Sequence, residues 1–514
     1  LFNQHADDLS ITVEDASAGV TSTSNSISFR HNAFVIESTN TLDNKNETDW
    51  VAGLDQNCRI TLWRRDPADP SGNCKIADLY NNASQKIDMW IDRHAEDPNG
   101  IKPMASSTQT GDSIVLNSTE ASANTIELDF SNNTLSQAGR APFQLETTDV
   151  GKYSIQAKDT SFALNASSDT PRPIYGGSQT NVVRPFGFDI DFNDDRADNP
   201  ENCANQTSCA EDASGDVFTR SGSEFSTTVT AVQWQQSDDN NDDGHPDSEA
   251  NLGDNSATSS FGQEDDGEAE AVTATRYLVA PSSGKNGSLS NGLFDASEFS
   301  SGSATHNLSW NEVGIIDLNA TLSDGSYMAN GPPVRGIAPN VGRFIPDHFR
   351  VSNSTVSFRD ACPAGNFTYL DQPFYFHNAP IVTLTAENVQ NATTDNYGEN
   401  FWKFSNTTTD YLDSRYYIDQ ANASASLNAT LMDIATVSGQ NNFDGRFTFS
   451  LHAGSSGDQF RYEKNGTEAP FNATVDLILE QSDLEDDDDV CYQVNGSCSD
   501  YMIEDITGTE LRYG

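Results

Sequence analysis

One short phrase occurs three times in this chain at nearly constant spacing, and no other property of the sequence limits the fold as much. Phe29-Arg30 is followed by Phe34-Val35-Ile36; Val183-Arg184-Pro185-Phe186-Gly187 leads into Phe188-Asp189-Ile190; Phe344-Ile345-Pro346-Asp347-His348 leads into Phe349-Arg350-Val351. Each time an apolar residue precedes a Phe by five positions, and a β-branched residue follows two later. The central Phe stands at 34, 188 and 349, steps of 154 and 161. A second phrase keeps pace: Asp149-Val150-Gly151-Lys152-Tyr153-Ser154-Ile155 matches Glu312-Val313-Gly314-Ile315-Ile316-Asp317-Leu318 at an offset of 163. The third repeat has no clear copy of it. Two phrases sharing one offset mark a triplicated module, and 514 residues at roughly 100–200 per domain accommodate three. The reading places an N-terminal tail or donor-type strand at 1–24 and modules at 25–180, 181–340 and 341–514.

The modules read as β. Ser226 to Trp234, Ile381 to Ala386 and part of Val475 to Glu480 alternate with period two, the signature of half-buried strands. Gly, Asn, Asp and Ser clusters separate them. The Ala-rich stretch from Asp413 to Met432 shows no 3.6-residue period, so no long helix is expected. The fold class is all-β: tandem Ig-like β-sandwich modules. The first phrase reads as an opening strand whose Phe plugs a sandwich, the second as a late strand with a Gly-containing bulge. A module of about 155 residues exceeds the ~100 of a minimal sandwich. Long acidic loops at 191–216, 237–256 and 483–489 take up the excess.

Charge narrows the partners. With 28 Lys+Arg against 77 Asp+Glu the net charge is −49, which argues against phosphate backbones and anionic lipid. No apolar run approaches the ~20 residues that span a bilayer. The N-terminal residues lack the basic and apolar regions of a signal peptide, so any such segment is expected to have been removed or to lie upstream. Seven cysteines suggest three local disulfides, Cys58–Cys74, Cys203–Cys209 and Cys491–Cys498, with Cys362 left over, as in an oxidising compartment. Eighteen Asn-x-Ser/Thr sequons occur, at Asn46, Asn82, Asn117, Asn132, Asn165, Asn205, Asn286, Asn307, Asn319, Asn353, Asn366, Asn391, Asn406, Asn422, Asn428, Asn465, Asn472 and Asn495. They fit a glycosylated extracellular surface and equally an Asn-, Ser- and Thr-rich composition.

The best local motif is Asp239-Asn240-Asn241-Asp242-Asp243-Gly244-His245-Pro246-Asp247. Asp239, Asn241, Asp243 and Asp247 stand where a calcium loop sets its oxygen ligands, His245 where it lends a backbone carbonyl, and Gly244 at the sharp turn. Pro246 and Ala250, the latter in place of the closing Glu, exclude a helix-flanked EF-hand and leave a loop-type calcium site. The plain alternative is a solvated acidic loop. Asp189, Asp191, Asn193, Asp194 and Asp195 form a less specific acidic cluster. Asp486 to Asp489 read as a solvated hairpin tip. No HExxH, G-x-S-x-G, P-loop or dinucleotide fingerprint is present, so no enzyme is expected. Trp63, Trp90, Trp234, Trp310 and Trp402 sit in strand-like contexts that suit a core better than a sugar platform.

Combined, these phrases resemble MshQ-like proteins of the mannose-sensitive haemagglutinin type IV pilus system, in their large C-terminal region. The resemblance rests on Val183-Arg184-Pro185-Phe186-Gly187-Phe188, on Ala231-Val232-Gln233-Trp234 with the following Asp-rich loop and Asn251-Leu252-Gly253-Asp254-Asn255, and on Val341-Gly342-Arg343-Phe344-Ile345-Pro346-Asp347-His348-Phe349. It continues through Asp371-Gln372-Pro373-Phe374, Ala386-Glu387-Asn388-Val389-Gln390 and Phe401-Trp402-Lys403, from about residue 25 to the C-terminus. It implies a secreted or cell-surface protein associated with a pilus, and supplies no catalytic or binding residues. The expected function is a non-enzymatic, pilus-associated adhesin or stalk stiffened by calcium and disulfides. Its partners are pilus or other surface proteins. The alternatives are a filament subunit, adding Leu9 to Glu14 or Tyr501 to Ile506 to a neighbouring copy's sheet, and a glycan-binding module.

Overall fold

The first recurring phrase becomes a strand at an equivalent place in three sandwiches, and the second in two of them. The computed structural model describes residues 8–9, 12–15, 17, 19–23, 27–28, 32–39, 49–66, 68, 73–131, 138–161, 173–192, 212–248, 250–265, 268–329, 333–404, 411–432 and 436–513. Eighteen strands carry the architecture. The first module contains β1 (Asn32–Ser38), β2 (Gln56–Arg65), β3 (Gln85–Arg93), β4 (Arg140–Glu146), β5 (Gly151–Asp159) and β6 (Asn181–Arg184). The second contains β7 (Gly187–Asp191), β8 (Glu224–Val232), β9 (Val272–Ala280), β10 (Ser303–Trp310), β11 (Gly314–Leu322) and β12 (Arg335–Ile345). The third contains β13 (His348–Asn353), β14 (Ile381–Glu387), β15 (Tyr416–Asp419), β16 (Arg446–Ser450), β17 (Val475–Leu479) and β18 (Tyr501–Ile506).

Pairing repeats with them. In every module the second strand lies between the first and fourth, all antiparallel. The fifth lies between the third and sixth, again antiparallel. This is the ABE and CFG pairing of an immunoglobulin-like sandwich. Inward alternation builds a separate core for each module. Phe34 and Ile36 lie in the first, Phe188 and Ile190 in the second, Phe349 and Val351 in the third. The second phrase starts the fifth strand, where Gly151 pairs with Val183 and Gly314 with Phe344. Gly314 takes φ +136°, and a Cβ there would stand 2.2 Å from the Ala280 carbonyl oxygen, so only glycine fits. A register shift follows it. Among the described residues the helical turns are three-residue 3₁₀ segments.

Two expectations need correction. Cys58 and Cys74 are both free, the first buried and the second exposed. Cys58 begins β2, whereas Cys74 pairs opposite Arg65 at the far end of that strand. Seven residues at about 3.3 Å each place the pair far beyond the ~7 Å limit for a disulfide. Tyr501–Ile506 is not a spare donor strand, because it pairs with β17. In the tail, Thr12–Asp15 pairs with Val20–Thr23 as a hairpin of its own. Cys491 and Cys498 form a disulfide with Cα atoms 5.6 Å apart. Cys203 and Cys209 lie outside the described residues.

Candidate functional site

The Asp-rich loop joins β8 to β9, and it opens just after Trp234. Asp239 is fully buried. Its Oδ1 accepts the Asp243 N–H at 2.9 Å, and its Oδ2 accepts Trp234 Nε1–H at 2.8 Å and the Gly244 N–H at 2.9 Å. Asn241 Oδ1 accepts the Asp243 N–H at 3.0 Å, and Asp243 Oδ1 accepts the His245 N–H at 2.8 Å. Asp247 Oδ2 takes both the backbone N–H and the side-chain amide of Asn240, at 2.9 and 2.8 Å. Positive φ at Asp242 (55°) and Gly244 (77°) closes the turn. Burial, with the Arg184 cation nearby, pulls His245 below its ordinary value.

All five sequence-predicted positions therefore share one loop. Their chemistry is oxygen-only and suits a hard cation such as calcium, but the oxygens are not equally available. Asp239 is committed to two of the loop's own N–H groups and to the Trp234 indole, while Asp243 and Asp247 each retain a second carboxylate oxygen. Among the described residues no three His, Cys, Asp or Glu side chains converge as a metal-holding group. In the other acidic cluster Asp189 is pushed up to about 6 by burial and by Asp191. Residues 193–195 lie outside the described residues.

The position of this loop is more informative than its composition. Buried Arg184, the last residue of β6, donates from Nη2 to the Gly244 carbonyl at 2.9 Å. Val51, Phe186, Val232 and Leu252 form a small apolar core with Leu54, Trp234 and Ala250 packed on it. Trp234 N–H donates to the Ala52 carbonyl at 2.8 Å. The loop thus sits on the junction of modules one and two, which only Pro185 and Phe186 connect.

A buried carboxylate closes each junction, and sequence reasoning missed both. Asp149, at the corner between β4 and β5, accepts Val150 N–H at 3.0 Å and Ile101 N–H at 3.1 Å from its own module. From module two it accepts Ser260 N–H at 3.1 Å and Ser260 Oγ–H at 2.7 Å. Glu312, at the matching corner of module two, accepts Val313 N–H at 2.9 Å. From module three it accepts the N–H groups of Asp395 and Asn396, both at 3.0 Å. Burial pushes Glu312 up to about 7 against those three donors. The signal was present in the second phrase, whose leading acid is the carboxylate in question.

The Asp486–Asp489 run is corrected too. Asp486 is buried and accepts Tyr397 O–H at 2.5 Å, and burial raises it to about 6. Arg343 of module two grips Asp488 with Nη1 and Nη2, at 2.5 and 2.7 Å. Asp486 and Asp488 thus face the second junction, while Asp487 and Asp489 are exposed to solvent. Trp90 and Trp310 are buried, whereas Trp63, Trp234 and Trp402 are partly so. Of the sequons, Asn46, Asn132, Asn165, Asn205 and Asn406 lie outside the described residues. The other thirteen are exposed or partly exposed, Asn117 and Asn319 being the partly exposed ones.

Fold and junctions together define a class: a tandem array of immunoglobulin-like sandwiches with short, buried connections. The chain matches the first, Ig-like DUF6701 domain at residues 13–171, the second DUF6701 domain at 184–309 and the third at 312–504. It belongs to the DUF6701 family, a group of domains of unknown function. No curated protein matches it. Among solved structures it aligns with invasin, a bacterial integrin-binding protein, at 11% identity and TM-score 0.25, covering 92% of this chain and 59% of that one. It also aligns with the D0-D1 domain of intimin at 12% identity and TM-score 0.15, covering 59% of this chain and 96% of that one. The chain thus spans about three fifths of the invasin structure. No helix among the described residues is long and apolar enough to cross a membrane.

Proposed function

We propose that the protein is a non-enzymatic, secreted or cell-surface stalk or adhesin, associated with a pilus in the manner of the MshQ-like proteins it resembles. The observation that supports this is the construction of the junctions. Two-residue connections, buried carboxylates and apolar contacts suit a load-bearing rod better than a set of mobile catalytic domains. Calcium would bind the Asp239–Asp247 loop through Asn241, Asp243, Asp247 and the His245 carbonyl, with Asp239 shaping the loop beneath. Bound there, it would neutralise carboxylates beside the first junction and stiffen it. Glycans on exposed sequons and pilus or other surface proteins as partners belong to the same reading.

Titration with terbium, a luminescent calcium analogue sensitised here by Trp234, tests the metal. Saturable luminescence that calcium displaces and Asp243→Asn with Asp247→Asn abolishes is expected; luminescence unchanged in the double variant removes this loop as the site. A second reading, a self-assembling subunit, draws on the N-terminal hairpin, where Val13 and Val20 are 67% and 60% exposed.

A further inference from the structure

The two junctions are copies of one device. At the first, Val150 and Val182 of module one are buried in the core of module two, beside Phe188, Phe218 and Phe261. At the second, Val313 and Ile345 of module two are buried in the core of module three, beside Phe349 and Phe374. The offset from Val150 to Val313 is 163, and from Val182 to Ile345 it is again 163. Each corner thus delivers a carboxylate to the next module's second-to-third-strand loop and a valine to that module's core. Glycine then turns the chain into the fifth strand.

We propose that the triplets Asp149-Val150-Gly151 and Glu312-Val313-Gly314 are latches that fuse successive modules into one mechanical and folding unit. A core completed by a neighbour's side chains is not full without that neighbour: the first junction buries Val150 and Val182 this way, and the second Val313, Ile315 and Ile345. The carboxylate sets the angle, because its two oxygens face N–H groups on both sides of the boundary. The corner that starts the fifth strand of module three, Ala473-Thr474-Val475, carries no acid, so the sandwich as such does not require the carboxylate. Metal is not part of it. The second latch works without a D-x-N-x-D-G loop, so this inference stands apart from the calcium reading.

The test uses the full chain with chelator present throughout. Amide hydrogen exchange at Asp395 and Asn396 should accelerate about tenfold or more in Glu312→Ala, as each loses a charge-assisted acceptor, while amides in the centre of β14 stay unchanged. The double variant Glu312→Ala, Val313→Ala should split wild type's single calorimetric transition in two and lengthen the tail of the small-angle scattering distance distribution. Unchanged exchange at Asp395 and Asn396 would overturn the proposal. So would a wild-type chain that already melts in independent steps, a measurement that stands even if the double variant does not fold. Repeated with calcium in place of the chelator, a change confined to the first junction would support the calcium reading; its absence, with the exchange result intact, removes that reading and leaves the latches.

Discussion

Buried acids are the residues on which this molecule turns, and Glu270 carries the clearest pH signature among them. It is 3% exposed, and burial pushes it up to about 8, with Asp324, Glu264 and Glu268 adding to the effect of their like charge. Its unfolded value is about 4.3. The proton is therefore held in the folded state where the unfolded chain has lost it. Stability from this group is complete below about pH 4.3 and drains away as pH rises toward 8. Glu270→Gln retains an oxygen for the Met328 N–H, now at 2.7 Å, and cannot ionise. The variant should gain on the order of 1–3 kcal/mol over wild type at pH 9 and little at pH 4.5, read from denaturant melts at both values. An equal difference at the two pH values would rule out this account. Cysteines show the limit of reading residues by spacing. Cys491 and Cys498 flank a tight two-stranded turn, where nearness in sequence is nearness in space. Cys58 and Cys74 are similarly spaced, yet most of a long strand separates them. Reducing Cys491–Cys498, or replacing both with Ser, should cost about 2–3 kcal/mol for so short a loop.

At the scale of elements, the sequence exposed what repeats and hid what only touches. Phe34, Phe188 and Phe349 could be aligned because each strand must place an aromatic in its own core, and that demand recurs at fixed spacing. Asp149 and Glu312 lay within an aligned phrase, but their role was illegible: a lone acid before Val-Gly says nothing about a loop 83 or 111 residues further on that supplies its partners. The acidic loops differ in the same way. The Asp239–Asp247 run advertised itself by ligand spacing, and its nine residues do fold as one turn. Its seat on the junction depends on Arg184 and Trp234, which no local pattern ties to it. Asp239→Asn probes that seat. An amide turned toward Trp234 Nε1–H or the Gly244 N–H opposes donor to donor, so this variant should lose about 1–3 kcal/mol and shift Trp234 emission. Unaltered emission with full stability would mean that the loop's shape does not depend on this carboxylate.

For the whole molecule, the charge of −49 and the fused junctions act together. Like charge spread along a latched array keeps copies apart at low ionic strength, so assembly of one copy on another would need an apolar or strand-edge contact strong enough to overcome it. The N-terminal hairpin is a segment suited to that. The hairpin of Thr12–Asp15 and Val20–Thr23 pairs only with itself and turns Val13 and Val20 outward. Thr12, Val13, Glu14 and residues 20–23 are exposed and none of them enters the three module cores, so deleting residues 1–28 should leave the melting transition of the modules unmoved. The stalk reading then expects full-length and truncated chains to sediment alike as single particles at low and moderate salt. The filament reading expects assemblies that grow as salt screens the repulsion and vanish with the deletion. Analytical ultracentrifugation of both chains across a salt series separates the two. Salt-promoted assembly that survives the truncation would defeat the hairpin as its cause and move the search to the outer edge strands of the sandwiches.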